Sequence, residues 1–135
     1  MDMKDLKKIW SNVKLSASYG AGGGRLRDLK TNVGHDLTIS IYDIEDMWNK
    51  QDGRCFWLGI KMSLEDLYIK NSPFAPSVER LDSSIGYVKG NVVLASRFAN
   101  RGRGAYDNED FKERLDSLLE DKISGEVNNL PLLPI

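Results

Sequence analysis

The stretch Ser77–Gly104, SVERLDSSIGYVKGNVVLASRFANRGRG, decides the fold. An extended segment from Ser77 to Asp82 carries Glu79, Arg80 and Asp82, and a loop containing Gly86, Tyr87 and Gly90 follows it. A second, apolar segment opens at Asn91 and runs to Ser96, rich in the β-branched residues that strands favour. From Arg97 to about Arg101 the pattern turns helical, holds Asn100, and is broken by Gly102 and Gly104. Strand, loop, strand, helix, with polar residues at the joints, predicts a hairpin leading into a helix.

Working outward, the segment before it reads as a helix from about residue 41 to 51. Ser40 is placed as N-cap with Asp43 at the third following position, Ile41, Ile44, Met47 and Trp48 form the buried stripe, and Gly53 ends it. The apolar run Arg54–Ile60 predicts a short strand or knuckle, with Phe56 and Trp57 in the core. Residues 61–76 read as loop, because Pro73 and Pro76 disfavour helix in the residues before them. Further back, Leu6, Ile9, Trp10 and Val13 fall at helical spacing between Asp5 and Ser16 and predict a short amphipathic helix docked through Trp10. Between it and position 41 lies Gly20-Ala21-Gly22-Gly23-Gly24, flanked by Arg25 and Arg27, which is either a flexible linker or a DNA-contacting arm. No Gly-Lys-Ser/Thr follows, so it is not a P-loop. Downstream, Asp107 caps a last helix with Asp110 three positions on, Phe111, Leu115, Leu118 and Leu119 facing inward and Gly125 ending it. The tail, 126–135, is apolar and broken by prolines. The expected organisation is an N-terminal helix and Gly/basic arm over 1–40, a main domain over 41–125, and the tail.

Length and composition fit one ordinary domain, 135 residues with 41% hydrophobic and 29% charged, and the strands and helices placed above make the expected class α+β. No apolar run is long enough for a membrane helix, and the first residues, MDMKDLKKIW, have no apolar signal region, so the expected location is the cytoplasm, with no membrane partner. One cysteine, Cys55, and one histidine, His35, exclude an internal disulfide and a conventional Cys/His zinc site. Any metal must then be held by oxygens. The net charge of -1 hides an uneven distribution. Residues 1–30 hold seven basic side chains against three acidic, residues 79–103 five against two, and the compensating acid sits in 107–126. Two basic surfaces suited to phosphates follow from that.

Hydrolysis of a phosphodiester needs a divalent cation to polarise the phosphate, a base for the attacking water, and cations along the backbone. Hard cations take oxygen ligands, which Glu79 and Asn100 carry. Taken one at a time, Glu79 and Arg80 also fit a surface ion pair, Asn91 a strand-entry residue and Asn100 a helix C-terminal residue. His35 is weighed as a general base against a structural role.

Three segments in order, Gln51–Gly59, Pro76–Asp82 and Gly86–Leu94 followed by Asn100-Arg101, resemble the HNH endonucleases of the ββα-metal superfamily, in the small form found in phages and bacteria. The resemblance covers about residues 41–104, including the nine-residue interval from Asn91 to Asn100. It implies an HNH-like ββα-metal core with flanking helices, and a DNA endonuclease or nickase dependent on Mg2+ or Mn2+, inside a bacterial or phage-infected cell. The alternative it implies is a nuclease-derived DNA-binding module that has lost catalysis. By resemblance Glu79 and Asn100 are the metal ligands, Arg80 stands where a water-activating histidine is usual, and Asn91 orders the loop. Arginine is a poor proton acceptor, so Arg80 is expected to grip a phosphate, with Asp82, His35 or a metal-bound hydroxide as base. Arg97, Arg101, Arg103 and Lys89, with Arg25 and Arg27 on the arm, are the expected DNA contacts. The structural zinc of the family keeps one cysteine of four here, since its cysteine pairs fall on Cys55/Leu58 and Ser96/Ala99; Phe56, Trp57 and Phe98 are expected to replace it by packing.

Overall fold

The computed structural model describes residues 1–19, 35–124 and 133. In chain order they form α1 (Met3–Tyr19), α2 (Ile41–Lys50), a 3-10 turn (Glu65–Tyr68), β1 (Pro76–Arg80), β2 (Val92–Ser96), α3 (Arg97–Arg103) and α4 (Asn108–Ser124). Among the described residues the architecture is therefore mixed α+β, four helices with one two-stranded antiparallel sheet. No helix among them is long and apolar enough to cross a membrane.

Helix α1 runs longer than its sequence pattern suggests and docks through the expected Leu6, Ile9 and Val13, but not through Trp10. Leu6, Ile9, Val13 and Ala17, three or four positions apart, are buried. Trp10 is only half-buried and carries the Lys14 ammonium 5.9 Å from its ring. The helix therefore docks through its smaller aliphatic side chains. Helix α2 starts on the expected capping box, with Ser40 N–H donating to Asp43 Oδ2 at 2.7 Å and Asp43 N–H to Ser40 Oγ at 3.4 Å. Ile44 is its one fully buried residue. At its end Gly53 turns the chain with φ +67°, beneath a Trp48 ring that a β-carbon would meet at 2.9 Å.

The run after Gly53 is a knuckle rather than a strand: Cys55 N–H donates to Ile60 O and Gly59 N–H to Cys55 O, both at 2.8 Å. Its expected aromatic core is only one residue deep. Trp57 is buried, but Phe56 and Phe98 are about half exposed or more. What joins the knuckle to the α3 end of the hairpin is hydrogen bonding. Ser96 N–H donates to Cys55 Sγ at 3.3 Å and Phe56 N–H to Leu94 O at 3.0 Å. Gln51 adds a third tie, its amide donating to Leu94 O at 2.8 Å and accepting from Leu94 N–H at 2.9 Å.

Strands β1 and β2 pair in the register Pro76↔Ser96 through Arg80↔Val92. Each lies within two residues of the expected bounds. Strand β1 does not alternate: Val78, Glu79 and Arg80 are all buried, so the strand is covered on both faces and carries two charges inside. Helix α3 begins at Ser96, whose Oγ accepts from Ala99 N–H at 3.3 Å, and continues through Gly102 to Arg103. Gly102 does not break it, since α3 is closed instead by Gly104 at φ +56°, whose N–H returns to Asn100 O.

Chain contacts divide the molecule into units Met1–Ala105 and Tyr106–Ile135. In the second unit α4 is capped as expected, Asp110 N–H donating to Asp107 Oδ1 at 2.9 Å. Its apolar positions do not face a core: Phe111 and Leu115 are half-buried, Leu118 and Leu119 exposed, and no residue of α4 is buried. Eight acidic residues over 107–126 leave too narrow an apolar stripe to bury. Gly125, the arm with Arg25 and Arg27, and the tail other than Leu133 lie outside the described residues.

Candidate functional site

Strand β1, helix α3 and helix α1 enclose a polar cleft of about 180 Å³, lined by Ser77, Glu79, Arg80, Tyr87, Asn100 and Arg103 among others. Three of these carry charge and all three are at least nine-tenths buried. Their partners define what the cleft can do.

Glu79 is only 2% exposed. Trp57 Nε1 donates to its Oε2 at 2.5 Å and Arg103 Nε to its Oε1 at 2.5 Å, so both carboxylate oxygens are engaged. Burial pushes the carboxyl above its ordinary value, against the opposing pull of Arg103 and Trp57. Arg103 also donates through Nη2 to Arg80 O at 2.6 Å, and its guanidinium lies 5.7 Å from the Trp57 ring. Arg103 is accordingly the counter-ion of Glu79 and not a surface cation. Trp57, expected in the core, has a second task as donor to that carboxylate.

Arg80 is 9% exposed and has no carboxylate partner among the described residues. Its Nη1 donates to Ser83 O at 2.7 Å and meets His35 Nδ1 at 3.0 Å, while its Cζ lies 5.3 Å from the Tyr87 ring. Arginine only donates, so His35 Nδ1 accepts, which puts the imidazole proton on Nε2. The one histidine of the chain thus reaches position 80 from a distant segment. It is placed there by its own N–H bonding Ala17 O at 2.9 Å and by the short bridge between Leu37 and Tyr87. Gly86 makes that approach possible, since a β-carbon there would meet Asp36 O at 2.5 Å.

Asn91 organises the loop between the strands. Its Nδ2 donates to Asp82 O and Gly86 O at 3.1 and 2.9 Å, and its Oδ1 accepts from Asp82 N–H at 2.9 Å. Asp82 itself does not line the cleft; the Ser84 hydroxyl, then its N–H, hold the Asp82 carboxyl below its ordinary value. A carboxylate so stabilised is a weak base. Asn100 donates to Ser77 Oγ at 3.1 Å, which leaves its carbonyl oxygen without a donor among the described residues. Of the expected DNA contacts, Arg97 is half-buried, Arg101 exposed, and Lys89 lies 3.8 Å from Asp43.

A divalent cation, as the resemblance implies, would draw on Glu79 and Asn100. Glu79 is already neutralised, and a cation at its oxygens would sit beside the Arg103 guanidinium. Among the described residues no group of three or more His, Cys, Asp or Glu converges. As arranged, a cation at Glu79 would have to displace the Arg103 guanidinium. To an anion, Arg80 offers a guanidinium without a carboxylate partner among the described residues, on the wall of the polar cleft.

The chain matches no family model, no curated protein and no solved structure.

Proposed function

We propose that the first unit is an HNH-like ββα module that binds nucleic acid, DNA in the first instance, by gripping a backbone phosphate in the cleft. The observation that carries this reading is the buried Arg80 guanidinium, without a counter-ion among the described residues and on the wall of a polar cleft. Burying a charge without compensation is costly, and a phosphate oxygen entering the cleft would supply the missing partner through a charge-assisted bond. Asn100 and Ser77 add neutral polar groups on the same wall. The hairpin leading into a helix, with Asn91 ordering the loop between its strands, supports the reading, since the resemblance implies both.

Fluorescence anisotropy with labelled DNA at several salt concentrations tests this. The parent should bind with a steep salt dependence, and Arg80→Met should lose about tenfold or more in affinity, since a charged hydrogen bond contributes about 1.5–3 kcal/mol. Equal binding by parent and variant would refute the cleft as the site.

The second reading is a metal-dependent endonuclease or nickase, and the observation favouring it is that Glu79 and Asn100 share the cleft. It requires Arg103 to release Glu79. Incubating supercoiled and branched DNA with Mg2+ or Mn2+ separates the two: nicking that Asn100→Ala abolishes establishes the enzyme, and salt-sensitive binding without nicking establishes the binding module.

A further inference from the structure

On the other side of Asn12 from the cleft runs a second, more open groove of about 370 Å³, and Asn12 lines both. Its walls include Lys8 from α1, Tyr68 and Lys70 from the 3-10 turn and its exit, and Arg97 from the start of α3. No acidic residue lines it, and none of the three cations forms an ion pair among the described residues. These positions are far apart in sequence, and only the fold assembles them.

We propose that this groove is a flanking subsite for an unpaired nucleic-acid strand whose neighbouring phosphate occupies the cleft, with Lys8, Lys70 and Arg97 on the phosphates and Tyr68 beneath a base. The proposal rests on the cleft reading above and extends it by naming the path and the strandedness of the ligand. Three cations lining one groove, with no carboxylate among its walls, leave a positive surface that a chain of phosphates matches in sign. Tyr68 supplies what a duplex would not use. The residue is 46% exposed and its hydroxyl donates to Asp5 Oδ1 at 2.7 Å, with the Lys4 ammonium over one face of the ring at 4.5 Å, so that a base would take the other face. A half-exposed tyrosine among cations is the stacking platform that single strands occupy, at about 1–3 kcal/mol per base. Asp5 and, more weakly, Asp2 are carboxylates felt by Tyr68 at this rim; the engagement of Asp5 by Tyr68 and the neighbouring Lys4 moderate their repulsion. Burial and Arg101 lower the pKa of Arg97, marking a guanidinium short of compensation.

The test compares a thymidine dinucleotide, whose single phosphate is assigned to the cleft, with a long oligothymidylate that spans both sites, using NMR titration for the first and anisotropy for the second. In Lys8→Glu/Lys70→Glu the long strand should weaken about tenfold or more, and its salt slope should fall by about 1.4, or about 0.7 per lost contact on a single strand. Dinucleotide binding should stay at the parental level. Tyr68→Ala should weaken the long unpaired strand and leave a duplex of the same length unchanged. An unchanged long-strand affinity in the double-lysine variant overturns the subsite while leaving the cleft reading intact. Tighter binding of duplex than of the unpaired strand by the parent also overturns it. If Arg80→Met binds the long strand like the parent while the double-lysine variant does not, the cleft reading fails and the groove stands alone.

Discussion

Two neighbours on β1 are buried in opposite ways. At the α3 end of the cleft, Glu79 meets Arg103 and Trp57, so charge, donors and acceptors close on one another. At the loop end, Arg80 meets two carbonyls and an imidazole nitrogen, all neutral, and keeps its charge. The first arrangement is complete without a ligand and serves the fold. The second leaves a cation with no counter-ion among the described residues, the place the proposed phosphate would take. Position on a strand therefore says little about role; the balance of charge around each side chain says more.

Four substitutions can break or sharpen that contrast. Arg103→Met should have the largest effect, leaving the Glu79 carboxylate buried alone at a cost of about 3–5 kcal/mol in urea unfolding. Adding Glu79→Gln should recover much of it, and a single-variant loss below about 1 kcal/mol would mean that the ion pair is not structural. Asn91→Ala removes three hydrogen bonds that hold the loop under Arg80, and at about 0.5–1.5 kcal/mol each the expected loss is about 2–3 kcal/mol. Arg80→Met should cost under about 1 kcal/mol, because lost bonds to the carbonyls are offset by relief of an uncompensated charge. A large stability loss here, comparable to that of Arg103→Met, would erase the distinction between the two residues.

The smallest effect is on pH dependence. Ser84 depresses the Asp82 carboxyl in the folded chain, so its stabilisation is present above the ordinary aspartate value of about 3.9 and is lost as pH falls through the depressed folded value. Ser84→Ala should flatten the acid limb of a urea-midpoint against pH curve relative to the parent. An identical limb would show that the turn does not hold the carboxylate.

Features carried by residues close together along the chain are legible from the sequence alone. The Ser40/Asp43 box, the Asp107/Asp110 cap and the hairpin bounds are local chemistry within a few residues. The contacts that make the cleft are of another kind. Glu79 finds Trp57 and Arg103 across separations of 22 and 24 residues, and Arg80 finds His35 across 45. No periodicity encodes such pairs. A charged residue in a short strand suggests a solvent face by alternation, and burial of β1 on both sides removes that inference. Trp10 and Phe98 depart from expectation for a related reason: size and apolarity favour the core for large aromatic side chains, yet smaller aliphatic neighbours fill it.

Gln51 has a consequence beyond tying the knuckle to the hairpin. Its carboxamide accepts from and donates to the same residue of β2, Leu94, as the peptide unit of an adjacent strand would. A two-stranded sheet otherwise offers a row of open main-chain groups on which a second chain can align and aggregate. Together with the Phe56 and Cys55 bonds of the knuckle, this side chain stands in for a third strand along that edge, so Gln51→Ala should show itself first as lower solubility with the fold still in place.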